Sequence, residues 1–343
     1  MPYNAPATMV SEKERCLVTG GAGMLGYEIV TRLLAENKAV RVLDLQPVDD
    51  PRVELFVGDI RDRSIVERAC EGVDVVHHTA AAVWNRSLPG RVYDEVNVGG
   101  TQIVLDCCRR QGVPRLVFTS SMDVVVDGRK PILNGDESLP YPKTLPKDPY
   151  SRTKIISERL VLTANGAELA TCALRPAGMY GPRDRYHLPN LINVARSGLN
   201  IRVGDGSALF THVYSENVAH AHLRAAEALH PGSPVAGQAY FITDHKPDAN
   251  LFAFLEPFLE ELGLPPPAFS IPYRPAYLLA TLAELVAPRS AFNRFSVVQT
   301  CVHHTFVHHK AARDFGYAPV VSRAEAFRRT VEWLKLRFSG SIG

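Results

Sequence analysis

The sequence lacks a surplus of either charge. Lys and Arg total 38 against 36 for Asp and Glu, and a net charge of +2 provides neither a basic surface for nucleic acid nor an acidic tail. A long apolar run is also missing. The most apolar stretch, 276–287, is interrupted by Glu284 and falls short of the roughly 20 residues that cross a bilayer. The six cysteines, Cys16, Cys70, Cys107, Cys108, Cys172 and Cys301, make no C-x-x-C pair, which argues for a reducing compartment without structural disulfides. Residues 1–14 have no apolar core of the signal-peptide kind and are expected to form a disordered tail. There is no internal repeat and no low-complexity segment. These absences exclude fibrous, membrane-spanning and disulfide-stapled classes. What remains is a globular chain long enough for about two domains.

The chain is organised around Thr19–Gly26, reading TGGAGMLG, between the apolar run Cys16-Leu17-Val18 and a stretch with Leu25, Ile29, Leu33 and Leu34 at helical spacing. A glycine-rich turn from strand to helix suits a nucleotide pyrophosphate, because backbone and phosphate approach closely at an electropositive helix start. Both Gly21/Gly23/Gly26 and Gly20/Gly23/Gly26 fit the pattern. Residues 39–45 form a second strand ending near Asp44, eighteen residues beyond Gly26. An acid there accepts ribose hydroxyls and repels a 2′-phosphate, which favours NAD over NADP.

Strands follow at 53–57, 74–78 and 116–118, with Asp62 capping a short helix and a long helix at 93–111. After the fourth strand, Thr79-Ala80-Ala81-Ala82 are small enough to leave room for a dinucleotide. Residues 130–149 read as a surface loop, 150–164 as a helix and 171–175 as another strand. Alternation of near-continuous apolar strands with helices predicts an α/β fold, a doubly wound parallel sheet of the Rossmann type at 15–182. Residues 183–343 are expected to be mainly a smaller α+β substrate lobe, with some segments returning to the first domain. Helices are expected there at 188–196, 215–229, 250–262 and 324–336, and strands at 239–243 and 305–307.

The sharpest chemical signal is Tyr150-Ser151-Arg152-Thr153-Lys154. Residues four apart share a helix face, so Tyr150 and Lys154 point into one cleft. A tyrosine hydroxyl titrates near 10, and a neighbouring ammonium is expected to lower that value enough for Tyr150 to act as a base. Ser121, at the end of the fifth strand, is placed to bond the reacting oxygen. His303, His304, His308 and His309 cluster without a recognisable ligand spacing, so no metal is expected. His77 reads as packed.

These motifs, with Gly58-Asp59-Ile60, Asn97-Val98-Gly99-Gly100-Thr101 and the run from Leu174 to Pro182, resemble the extended short-chain dehydrogenase/reductase family. Within it, SSMDVVVDG, VYSENVAHAH, GQAYFITD and FVHHKAARDFGYAP are most similar to the 3β-hydroxysteroid dehydrogenase group, including sterol 4-carboxylate 3-dehydrogenases. The resemblance implies Ser121, Tyr150 and Lys154 as the catalytic set. It implies NAD as cofactor, held by Gly20, Gly23, Met24, Leu25, Gly26, Asp44, Asp59, Ile60, Thr79, Ala80, Ala81, Asn97, Thr119, Tyr150, Lys154 and Pro176. Substrate contacts are expected at Trp84, Asp123 and Met179.

The expected reaction interconverts a 3-hydroxy and a 3-oxo group on a hydrophobic, steroid-like molecule. Reduction of long-chain 2-alkyl-3-oxo acids and nucleotide-sugar epimerase or dehydratase chemistry are the alternatives. A homodimer in the cytoplasm is expected, with 276–287 either covering the substrate pocket or making a weak contact with a membrane surface.

Overall fold

The structure, a computed structural model, describes residues 13–83, 88–128, 130–198, 201–246, 248–287 and 292–339. Seven parallel strands form one sheet: β1 (Arg15–Thr19), β2 (Ala39–Asp44), β3 (Val53–Val57), β4 (Val75–His78), β5 (Arg115–Thr119), β6 (Ala170–Pro176) and β7 (Ala239–Ile242). Their order across the sheet is β3-β2-β1-β4-β5-β6-β7. The winding reverses between β1 and β4. That reversal opens a crevice at the C-terminal ends of the strands, where the turns after β1, β4 and β5 meet.

Both faces of the sheet are covered, which is why its strands are mostly apolar. Cys16, Val18, Val75 and Val117 face α1 (Met24–Ala35) and a helix from the second half, while Leu17, Val76, Leu116 and Phe118 face α2 (Arg63–Cys70) and α3 (Thr101–Arg110). Asp62 caps α2 by accepting from Ser64 N at 2.9 Å. Next comes α4 (Pro149–Thr163), capped by Asp148 Oδ2, which accepts from Ser151 N at 2.7 Å.

The second half supplies α5 (His187–Arg196), α6 (Ser215–Ala228), α7 (Leu251–Glu261), α8 (Tyr273–Val286), α9 (Arg294–Cys301) and α10 (Arg323–Ser339). Of these, α6 returns to the sheet beside α1, whereas α5, α7 and α10 share a separate core around Leu188, Phe258 and Leu334. The strand expected at 239–243 is not part of that outer lobe. It is β7, the sheet edge, in register with β6 (Ala239 opposite Ala173, Ile242 opposite Pro176).

The surface loop expected at 130–149 is also more ordered than its composition suggests. Ile132–Gly135 pairs in parallel with His304–Phe306, and Glu137 Oε1 accepts from Phe241 N at 2.7 Å, occupying a backbone donor of the edge strand. At the chain start, Lys13 and Glu14 are not a free tail: Glu14 pairs with Lys38 at 2.7 Å and Arg115 at 2.6 Å. Residues 1–12 lie outside the described residues.

One ion pair locks α4 to the sheet. Arg175 on β6 donates to Glu158 on α4 through Nε at 3.0 Å and Nη2 at 2.7 Å, with side chains 6% and 0% exposed. Tyr141, in the 130–149 segment, donates to the same carboxylate at 2.6 Å. Breaking a buried pair strands a charge without a partner. Glu158→Ala should therefore destabilise the fold by about 3–5 kcal/mol, and the double change Glu158→Leu with Arg175→Met should recover most of that loss. Urea denaturation measures both. A single-variant loss below about 1 kcal/mol, the scale of an exposed pair, would remove this pair as the lock.

Candidate active site

The glycine-rich turn is built for contact without side chains. Gly20 has φ of +77°, and a Cβ there would lie 2.8 Å from Ala80 N after β4; a Cβ on Gly26 would lie 2.1 Å from Gly20 O. Both readings of the glycine spacing share Gly26, and the positive φ singles out Gly20. Gly23 caps α1 without a side chain, so the α1 N-terminal N–H groups remain available to an anion. Asp44 braces the turn, accepting from Ala22 N at 3.0 Å and Gln46 N at 2.9 Å. An uncapped helix start, a cradle that a Cβ would fill and an acid at the end of β2 fit a dinucleotide without a 2′-phosphate.

The remaining expected cofactor residues divide. Met24 and Leu25 open α1, with Leu25 buried. Ile60 is buried against Gly100, and Asp59 pairs with Arg61 at 2.6 Å. Thr79 Oγ1 donates to Thr19 O at 2.7 Å; Ala80 and Ala81 stay half-buried along the same turn. Pro176 ends β6. Asn97 sits in a π-helical turn, Asp94–Gly100, a distortion common at functional sites. Its Nδ2 donates to Ala82 O at 3.1 Å and Thr153 Oγ1 at 3.0 Å, and its Oδ1 accepts from Ala82 N at 2.7 Å. Both amide hydrogens are committed, so Asn97 pins the alanine run to α4 rather than reaching out with its NH2.

The three expected catalytic residues converge. Ser121 lies near enough to the Tyr150 hydroxyl to favour its phenolate. Lys154 lies one turn further along α4, its Nζ 5.9 Å from the Tyr150 ring centroid and donating to Thr119 O at 2.8 Å. The electrostatics differ from expectation. Tyr150 is raised rather than lowered, first by burial and then by the charge of Asp123, with Asp148 and Tyr93 adding; only Ser121 favours the phenolate. Lys154, 3% exposed, is itself pulled down to about 8 by burial against the opposing pull of Glu158. The lysine is anchored on the Thr119 carbonyl and does not offset the desolvation of the tyrosine.

Asp123, expected at the substrate, faces Ser121. Ser121 Oγ donates to Asp123 Oδ2 at 3.1 Å, and Asp123 N donates back to Ser121 Oγ at 3.2 Å. Gln299 of α9 donates to Asp123 Oδ1 at 3.0 Å. Gln299 and the α9 helix have no signal in the sequence, since a contact spanning 176 residues leaves no local pattern. Met179 lies half-buried in Gly178–Tyr180, just past Pro176, packed on the main core. Trp84 lies outside the described residues. Among those residues no cluster of three metal-ligating side chains occurs. His77 packs against His222 with ring centroids 5.7 Å apart, and His308 Nδ1 is 2.6 Å from Thr243 Oγ1.

On α8 only Ala276 and Ala280 turn inward, against Val297 of α9. Leu278, Leu282, Leu285 and Val286 are exposed, the last two at 76% and 88%. A pocket cover that buries its leucines is not what this helix forms. Among the described residues no helix is long and apolar enough to cross a membrane.

A glycine turn that a Cβ would fill, an acid braced by backbone amides and a Ser–Tyr–Lys convergence at the C-terminal ends of the central strands fit an oxidoreductase of the short-chain dehydrogenase/reductase class. The chain belongs to the 3-beta hydroxysteroid dehydrogenase/isomerase family, which it matches over residues 17–273. It is 39% identical to the Bos taurus short-chain dehydrogenase/reductase family 42E member 1, over 96% of this chain and 89% of that one. It is 38% identical to the Mus musculus sterol-4-alpha-carboxylate 3-dehydrogenase, decarboxylating, over 94% and 91%. Among solved structures it is similar to the NAD-bound dTDP-glucose 4,6-dehydratase DesIV of Streptomyces venezuelae, at 27% identity and a TM-score of 0.74 over 95% and 98% of the two chains.

The depressed Lys154 has a stability consequence. Its folded pKa, about 8, lies below the ordinary 10.5, so burial of the ammonium destabilises the fold below pH 8 and that penalty fades as pH rises towards 10.5. Lys154→Met should therefore be more stable than wild type at pH 7 by about 1–3 kcal/mol, with the gap closing by pH 10. Denaturation series at the two pH values measure it. A variant less stable at pH 7 would mean that the Thr119 bond outweighs desolvation.

Proposed function

We propose that the protein is an NAD-dependent dehydrogenase that interconverts a 3-hydroxy and a 3-oxo group on a steroid or sterol-like substrate. The observation carrying this reading is the convergence of Ser121, Tyr150 and Lys154 at the same C-terminal end of the sheet as the glycine turn. Substrate class is supported by likeness to a sterol-4-alpha-carboxylate 3-dehydrogenase over nearly the whole chain. NAD rather than NADP is supported by Asp44, whose carboxylate opposes a 2′-phosphate.

When bound, the nicotinamide supplies the hydride acceptor or donor. The chain supplies position and proton transfer. Ser121 holds the reacting oxygen through its hydroxyl. Tyr150 takes the proton of a substrate hydroxyl in the oxidative direction and returns it in the reductive one. Lys154, one turn further along α4 and donating to Thr119 O, would hold the cofactor ribose beside Tyr150.

Activity across steroid alcohols and ketones, long-chain 3-oxo acids and nucleotide sugars, each with NAD and NADP, tests this reading. Steroids with NAD should be the preferred pair, and Tyr150→Phe should lower turnover by about 10²–10⁴-fold while NAD binding, followed by fluorescence, changes little. Turnover of nucleotide sugars alone, or near-normal turnover in Tyr150→Phe, would contradict it.

A sterol-like substrate resides in lipid, and the outward leucines of α8 support a docking role at a membrane surface. The helix that carries them packs through Ala276 and Ala280 on α9, which brings Gln299 to Asp123. An apolar helix face of this kind gains affinity from burial at the headgroup boundary. Wild-type protein should co-sediment with phosphatidylcholine vesicles, and Leu278→Ser/Leu282→Ser/Leu285→Ser should reduce the bound fraction several-fold. Equal sedimentation of the two would exclude this surface.

A further inference from the structure

Two kinds of substrate fit the steroid reading, and they differ in charge. The Mus musculus relative is named for a sterol with a carboxylate at C4, the carbon next to the reacting C3. The family is named for 3-beta hydroxysteroids, a name that carries no such charge. With the C3 oxygen on Ser121, the groups around that serine meet whatever C4 carries.

Those groups are acceptors and they are acidic. Ser121 Oγ donates to Asp123 Oδ2 at 3.1 Å and accepts from Asp123 N at 3.2 Å. Gln299 Nε2 donates to Asp123 Oδ1 at 3.0 Å. Both carboxylate oxygens are held, so the charge is fixed beside Ser121. Because the Gln299 amide turns its nitrogen to the carboxylate, its oxygen is left over, buried and without a partner among the described residues. That adds an acceptor and no donor. Asp123 itself is only half-buried, so its charge is not sealed away from the cleft. Asp148, the cap of α4, is a second acid that acts on Asp123, and among the described residues no cation opposes it. Lys154, the cation of the catalytic set, is committed to Thr119 O at 2.8 Å.

We propose that Asp123 determines substrate charge: it rejects sterol 4-carboxylates and selects 3-hydroxy- and 3-oxosteroids that are uncharged beside the reacting carbon. This deepens the dehydrogenase reading above and rests on it, through the assignment of Ser121 to the reacting oxygen. A carboxylate on the carbon next to one bonded at Ser121 comes within roughly 5–9 Å of Asp123, and like charges at that distance in an effective dielectric of about 20 weaken binding about 20- to 300-fold. A site for a carboxylate would place a donor or a cation there. This one places an acid and an amide oxygen.

Neutralising Asp123 lifts the repulsion. Burial first and then Asp148 push its carboxyl up to about 6, with Gln299 and Ser121 opposing. Rejection is therefore strongest above pH 7 and relaxes as the acid takes up its proton. The titratable groups facing Asp123 are Asp148 and Tyr150, from the start of α4. Tyr150, raised by burial, stays neutral through this range, and Gln299 of α9 does not ionise.

The test uses three 3β-hydroxysterols that differ only at C4, where they carry hydrogen, a carboxamide or a carboxylate. The carboxamide has the size of the carboxylate without its charge, and the unsubstituted sterol reports the effect of size alone. With wild type and NAD at pH 8, kcat/KM for the carboxamide should exceed that for the carboxylate by about tenfold or more, and the ratio should shrink towards pH 6. Asp123→Asn keeps the size of the side chain and removes its charge. Its ratio should fall close to one and lose its pH dependence, whatever its absolute rates. Binding of the same sterols to the wild-type NAD complex, followed by protein fluorescence, gives the ratio without turnover and without a variant. A wild type that binds or turns over the carboxylate as well as the carboxamide, or an Asp123→Asn variant with undiminished discrimination, would overturn the proposal. Failure of all three sterols to bind or react would overturn the steroid reading, and this proposal with it.

Discussion

The structure depends on a helix that buries polar groups. Ser151, Thr153, Lys154, Ser157 and Glu158 all turn inward on α4, and a buried polar group left without a partner costs about 1–3 kcal/mol. Each finds one: Ser151 on Asp148, Thr153 on Asn97, Lys154 on Thr119 O, Ser157 on Asn97 O, and Glu158 on Arg175 and Tyr141. These partners come from the π-helical turn, β5, β6 and the 130–149 segment. Rotating α4 by one residue would break most of them together. The setting that satisfies them is the one that aims Tyr150 at Ser121.

The same burial explains the electrostatics. Desolvation pushes Tyr150 up, Lys154 down to about 8 and Asp123 up to about 6. Each shift disfavours the charged form of its own group, and the last two bring ordinarily distant groups towards neutrality. Such displaced values mark sites where protons move. They also carry a stability penalty, which the apolar cores on both sheet faces offset.

Much of this was legible in the sequence, for local reasons. The turn after β1, Asp44, the strands to β6 and the helix start at Tyr150 rest on spacings within about twenty residues, and the structure follows them. Alternatives shared by one local pattern narrowed only in three dimensions: Gly20 is distinguished by its positive φ, which the letters GG do not show. Non-local features were not legible. Ile132–Gly135 pairs with His304–Phe306 across the chain, Gln299 reaches Asp123, and Tyr141 anchors a segment whose Pro and Lys content suggests a loop. The direction of the Tyr150 shift was also hidden. The Y-x-x-x-K spacing shows that a cation is near, but not that a carbonyl holds it or that two acids lie closer in effect. On α8 the alternation of alanine and leucine is plain, yet only the fold shows that the alanines pack and the leucines face out.

The central claim is that Ser121 and Tyr150 hold an alcohol whose carbon-bound hydrogen leaves as hydride. A steroid alcohol carrying deuterium on its hydroxyl-bearing carbon, incubated with the protein and NAD, tests this directly by mass spectrometry of the reduced nucleotide. The account predicts that the deuterium appears in the reduced nucleotide and that turnover of the labelled alcohol is slower. Ketone formed with the deuterium lost to water, or no label transfer while a nucleotide sugar is converted, would contradict it.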